Sequence, residues 1–216
     1  MKLLHTLKTN KAEVLLASLL LFILLSPVAV ELAANRFVLG ALSLPVMIGA
    51  AFYASRSKYH CTIAVVIAAA WFCLSFLIPN MTNTVWPWLL YGLLLGFVTY
   101  TILGQIFRAK TVDRSLIASA ITVYLLLGAS WGAVFMVVYL ANPAAFHAPD
   151  VDPHYASVYF LYYSYVTLTT LGYGDITPIS PTARISSVVE AITGVLYVAI
   201  LIARLVSLIG HDIRKS

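Results

Sequence analysis

The chain has 216 residues, of which 62% are hydrophobic and only 10% are Asp, Glu, Lys or Arg. Soluble domains carry about 25% charged residues, and the mean hydropathy here is +0.95. The composition excludes a soluble enzyme, a disordered regulator and a fibrous protein, and makes lipid the main solvent. The formal net charge of +5 does not mark a nucleic-acid surface, because the basic residues fall in short clusters between apolar runs.

A helix that crosses a bilayer needs about 20 apolar residues. Six runs qualify: Val14–Ala34, Phe37–Ala54, Cys61–Pro79, Pro87–Phe107, Ser115–Leu140 and Ile185–Ile209. The charged start, Met1–Lys11, also fits a secretory signal peptide, but the following run is long for a signal core and no small-x-small cleavage site stands out. Pro27 and Pro45 are expected to kink the first two helices. Cys61 and Cys73 share one run and lie roughly 18 Å apart by helical rise, too far to bridge. The fourth run has no charged residue; its polar members include Thr99, Thr101 and Gln105.

Lys and Arg set the orientation. Lys2, Lys8 and Lys11 precede span one, Arg56 and Lys58 follow span two, Arg108, Lys110 and Arg114 follow span four, and Arg204, Arg214 and Lys215 close span six. If all six runs cross, 11 of the 13 basic residues share one side, and Arg36 and Arg184 are the exceptions. That side is cytoplasmic and holds both termini. Glu31, Asp150, Asp152 and Asp175 fall on the outer side, with Trp86 and Trp88 at an outer aromatic belt.

The character of the chain changes near Arg108–Arg114. Residues 1–114 hold four plain spans. Residues 115–216 hold a span, an outer loop, the short run Val158–Leu171 and a last span. Fourteen residues are too few to cross, so the short run reads as re-entrant. It leads into Thr169-Thr170-Leu171-Gly172-Tyr173-Gly174-Asp175. Non-helical backbone at membrane depth is tolerated only when buried in protein or lining a water-filled path. Glycines alternating with larger residues allow backbone angles that let successive carbonyls point to one side. A row of such carbonyls replaces the hydration shell of a monovalent cation.

This segment resembles the selectivity filter of tetrameric potassium channels, the pore-loop superfamily, with Leu171 where the family has valine. The similarity covers Ser115–Ile209, with an outer helix at 115–140, a pore helix at about 156–169, a filter at 170–174 and an inner helix at 185–209. It implies that Thr170, Leu171, Gly172, Tyr173 and Gly174 form the potassium site, through carbonyls and the Thr170 hydroxyl. Gly172 and Gly174 would allow the backbone twist, the Tyr173 ring would pack behind the filter, and Asp175 would stand at the outer mouth. Thr169 and Tyr163 would support the filter. Tyr159, Tyr162, Tyr163 and Tyr165 would form an aromatic cuff or anchor the interface. Where some members have a carboxylate behind the filter, paired with the following Asp, this chain has Val166, so that pairing should be absent. Arg184 falls where members often have a basic residue, and Gly194 matches a gating hinge. Val195, Val198 and Ile202 share one helical face and would line the cavity, where an apolar constriction gates by dewetting. The C-terminal end of the pore helix would favour a cation at the cavity.

Glu190 is an acid inside the sixth span, where acids are costly and placed for a reason. It either hydrogen-bonds behind the filter or faces the ion path as a charge ring. His147, Asp150, Asp152 and His154 cluster in the outer loop; a metal site is less favoured there than an acidic vestibule that concentrates cations.

The expected fold is all-α transmembrane: six spanning helices, a re-entrant pore helix and a filter loop in each subunit of a homotetramer. A ring of carbonyls needs three further copies of the chain. A voltage sensor needs repeated arginines, because one charge crossing about 100 mV supplies about 2.3 kcal/mol. The resemblance is therefore to a six-span bacterial-type member without that ladder, and spans one to four read as a packing domain around the pore. The expected function is passive potassium conduction in the plasma membrane. No catalysis, cofactor or nucleic acid is expected, potassium is the bound and permeating ion, and gating by a ligand would need a separate cytoplasmic partner. The alternatives are a weakly selective cation channel and a subunit of a potassium uptake system.

Overall fold

The computed structural model describes residues 11–32, 36–54, 58–78, 81–148 and 152–213. Lys2, Lys8, Arg56, Asp150, Arg214 and Lys215, and the run ends Ala34 and Pro79, lie outside the described residues. The main helices are α1 Lys11–Glu31, α2 Arg36–Ala54, α3 Lys58–Phe72, α4 Val85–Arg108, α5 Arg114–Ala141, α6 Ala156–Leu168 and α7 Pro181–Ile213. Among the described residues, α1, α3 with its extension to Leu77, α4, α5 and α7 are long and apolar enough to cross a membrane. The remaining apolar run, α2, is a helix of 19 residues. At 13 residues, α6 is too short to span.

Helix ends follow local chemistry more than the apolar count. α7 begins at Pro181, ahead of the expected Ile185. Proline suits a first helical turn because it has no N–H to satisfy and its φ is fixed. Ser180 Oγ then accepts from the Ala183 N–H at 3.1 Å, a serine cap on an orphan donor. Asp113 Oδ1 does the same for Leu116 N–H at the start of α5, at 2.8 Å. α3 does not end cleanly: Cys73–Leu77 widen into a π turn before Ile78 becomes extended. Pro27 and Pro45 lie inside α1 and α2.

Apolar burial drives helices together only weakly in lipid, so close van der Waals packing must do it, and small residues permit that. The buried face of α5 is rich in them: Ala118, Ser119, Ala120, Gly128, Ala129, Gly132 and Ala133. α5 packs against α1, α4, α6 and α7. Three uncharged polar residues of α4 find hydrogen-bond partners, whereas the buried Tyr91 hydroxyl has none among the described residues. Thr99 donates to Leu95 O at 2.8 Å, and Thr101 to Val98 O at 2.7 Å. Gln105 Oε1 accepts from the Tyr53 hydroxyl of α2 at 2.8 Å.

Beyond α5 the chain forms strand β1, Phe146–His147, antiparallel to β2, Thr177–Pro178. This pair joins the loop before α6 to the loop after Asp175. Phe135, Phe146, Phe160, Tyr163 and Ile176 form a cluster beside it. Ring centroids lie 4.8 Å apart for Phe146 and Phe160, and 4.9 Å for Phe135 and Tyr163, within the range of favourable aromatic pairs. The segment that follows α6 is thus held at both ends by rigid elements.

Candidate functional site

α6 ends at Leu168, and Thr169 closes it by donating both its N–H, at 3.1 Å, and its hydroxyl, at 2.7 Å, to Tyr165 O. The backbone then alternates. Positive φ occurs at Thr170 (59°), Gly172 (59°) and Gly174 (81°), and among the described non-glycine residues Thr170 alone adopts it. Leu171 N–H and Gly172 N–H both turn back to Val166 O, at 2.9 and 3.3 Å. In a trans peptide the C=O points opposite to the N–H it shares a plane with. The carbonyls of Thr170 and Leu171 therefore point away from α6, to the same side. Positive φ recurs at Gly172 and Gly174 further along the segment.

Threonine is β-branched, and holding it in the left-handed region costs on the order of 1–3 kcal/mol. The sequence assigns the twist to the glycines; Thr170 shares it. The place of the absent carboxylate is also informative. Val166 contributes its main-chain carbonyl to the segment, an acceptor that every residue type carries. Asp175 instead accepts from the Tyr162 hydroxyl at 2.7 Å.

The other tyrosines anchor α6 to its neighbours. Ser187 Oγ donates to Ala183 O at 2.9 Å, so the Tyr163 hydroxyl donates to Ser187 Oγ at 2.7 Å. Tyr165 donates to Leu125 O of α5 at 2.7 Å. Tyr159 packs against the Phe135 cluster. The hydroxyls of Tyr162, Tyr163 and Tyr165 thus tie α6 to the segment after it, to α7 and to α5.

α7 presents a buried stripe of Ala183, Ser187, Glu190 and Gly194 to this assembly. Glu190 is 0% exposed, and its Oε1 lies 2.5 Å from Ser164 Oγ of α6. The side chain is thus directed at α6. At Gly194 an added Cβ would lie 2.2 Å from Leu168 O. α7 runs through this position as one helix, and what the glycine provides is close approach to the end of α6. Val195, Val198 and Ile202 are exposed in the single chain, as are Leu171 (55%) and Tyr173 (67%). The ring of Tyr173, expected behind the filter, has little cover from its own chain.

No group of three metal-ligating side chains occurs among the described residues. Asp152 accepts from the His154 N–H at 2.8 Å, capping its own turn. Arg184 Nε donates to Pro178 O at 3.3 Å. Arg204 has a role that charge counting misses. Its Nη2 donates to Phe107 O at 2.9 Å and Ala109 O at 2.8 Å, satisfying carbonyls at the C-terminal end of α4 where helices leave them open.

Residues 116–211 match the family model described as "Ion channel". This is a family of channels and not of enzymes. Over 81 residues the chain is 36% identical to the two pore potassium channel c of Oryza sativa subsp. japonica, covering 34% of this chain. The aligned part spans 18% of that relative's length. No solved structure matches the chain. The matched stretch contains α6 and the alternating segment, together with nearly all of α5 and α7. With its apolar helices it belongs to a multi-pass membrane protein.

Proposed function

We propose that the chain is one subunit of a potassium-selective channel. Four copies place Thr170–Gly174 around one axis, and the carbonyls on that axis replace the water around a dehydrated potassium ion. The observation that carries this reading is the alternating backbone. Its amides at Leu171 and Gly172 are bonded back to Val166 O, which leaves the opposing carbonyls free for an ion. The exposed Leu171 and Tyr173 side chains find their cover on neighbouring copies. The similarity to a two pore potassium channel of rice supports potassium as the ion.

In this reading residues 115–216 are the pore domain and residues 1–114 a peripheral domain, with all six apolar helices crossing. Both termini are cytoplasmic by the distribution of Lys and Arg. α6 is the pore helix, α7 the inner helix, and Asp175 stands at the outer mouth. Val195, Val198 and Ile202 line the cavity. Conduction is passive and not intrinsically voltage-gated, because α4 has no charge between Pro87 and Phe107. The test is a recording from purified protein in liposomes, with potassium on one side and sodium on the other. A reversal potential at the potassium equilibrium value, with block by barium, is expected. A reversal near zero overturns potassium selectivity in favour of a weakly selective cation channel.

A further inference from the structure

Ser164 has one hydroxyl proton and two close acceptors. Its Oγ lies 2.6 Å from Gly128 O of α5 and 2.5 Å from Glu190 Oε1 of α7. A serine hydroxyl donates once. If Glu190 were a carboxylate, one of these two oxygen pairs would face each other without a proton between them. The carboxylate would also be buried with Oε2 unpartnered, a costly state for a charge. A neutral carboxylic acid removes both difficulties. Its own proton goes from Oε1 to Ser164 Oγ, and the Ser164 proton goes to Gly128 O. The unpartnered Oε2 is then a neutral carbonyl oxygen, which tolerates the lack of a donor better than an anion does.

We infer that Glu190 is a protonated carboxylic acid and a positioning residue for the filter. Its single proton completes a relay, Glu190 to Ser164 to Gly128, that joins the inner helix, the pore helix and the outer helix. This deepens the channel reading and rests on it for its consequence: ionising Glu190 breaks the relay at Ser164 of the pore helix, four residues before its end at Leu168. Ser164 lies between Tyr163 and Tyr165, whose hydroxyls hold the same helix to α7 and α5, so the acid works within an already anchored unit. The ionisable groups that interact electrostatically with the carboxyl are Tyr163 and Tyr165 of α6 and Tyr124 of α5.

The proton is read directly by infrared spectroscopy of the full-length protein in liposomes. The wild type is expected to show the carbonyl stretch of a protonated carboxylic acid at neutral pH, and Glu190→Gln to lack it. If Glu190→Gln does not assemble, Glu190→Asp gives the same information, because the acid band then moves in frequency. Loss of carboxylate bands in place of the acid band overturns the inference. This readout does not depend on conduction, so a protein that carries no potassium current still reports the proton, and failure of the channel reading is scored separately. Function is tested by alkaline titration of potassium flux. Wild-type flux is expected to fall together with the acid band, whereas Glu190→Gln holds its own neutral-pH flux over that range. An equal fall in Glu190→Gln assigns the loss to the tyrosines and overturns the positioning role.

Discussion

Replacing Gly194 with alanine separates two roles for that residue. The added Cβ would stand 2.2 Å from Leu168 O, 3.1 Å from Leu168 C and 3.0 Å from Leu168 Cδ1. A carbon and a carbonyl oxygen rest at about 3.3 Å, so the shortfall is about 1 Å. The obstructing oxygen is main-chain, and trimming Leu168 to alanine relieves only the Cδ1 contact. α7 must therefore move off the end of α6, which strains the hydrogen bonds at Ser187 and Ser164. Overpacking of this kind costs about 1–3 kcal/mol per chain. The assay is the thermal loss of assembled protein in detergent, followed by potassium flux in liposomes. Gly194→Ala is expected to lower the midpoint and cut flux at least about tenfold, which corresponds to about 1.4 kcal/mol. A variant with wild-type stability and altered opening alone would refute the contact argument and favour a hinge at Gly194.

Three further outcomes follow from the same geometry. Tyr162→Phe removes the donor to Asp175; the potassium-over-sodium permeability ratio, read from the reversal potential, should drop about fivefold for a bond worth about 1 kcal/mol. Arg204→Gln leaves the Phe107 and Ala109 carbonyls without their charged donor; the unfolding midpoint should fall by an amount equivalent to about 1–3 kcal/mol while the reversal potential stays unchanged. Stepping the membrane potential by about 100 mV should change open probability less than twofold, since α4 carries no gating charge; a steep response would place a sensor elsewhere in the chain.

Much of this arrangement is legible in the sequence because it is local. Thr169 to Asp175 carries its chemistry in consecutive residues, and α6 is marked by its length between two apolar runs. The rest depends on what tertiary contact adds. Val166 looked silent because its side chain is apolar, yet its carbonyl binds two amides, and carbonyls leave no mark in a sequence. Tyr162 and Asp175 meet because the chain reverses after Leu168. Glu190 was recognisable as misplaced in an apolar span, but its partner Ser164 is ordinary until α6 and α7 are laid together. By sequence Arg204 is one more positive charge at a helix end; the two bonds of its Nη2 to the end of α4 depend on the fold. The apolar run marks the start of α7 only from Ile185, because Thr182 and Arg184 interrupt it, although Pro181 is itself a helix-start signal.

The exposed flank of residues 171 and 173 has a genetic consequence. In the proposed fourfold channel one chain forms a single side of an arch whose other sides come from its sisters, so damage in one copy is inherited by the whole ring. In a fourfold assembly with damaged and intact chains made in equal amounts and mixed at random, about one ring in sixteen is free of the defect. A Gly172 or Gly174 substitution in one gene copy would then act dominantly, silencing far more current than the half it encodes.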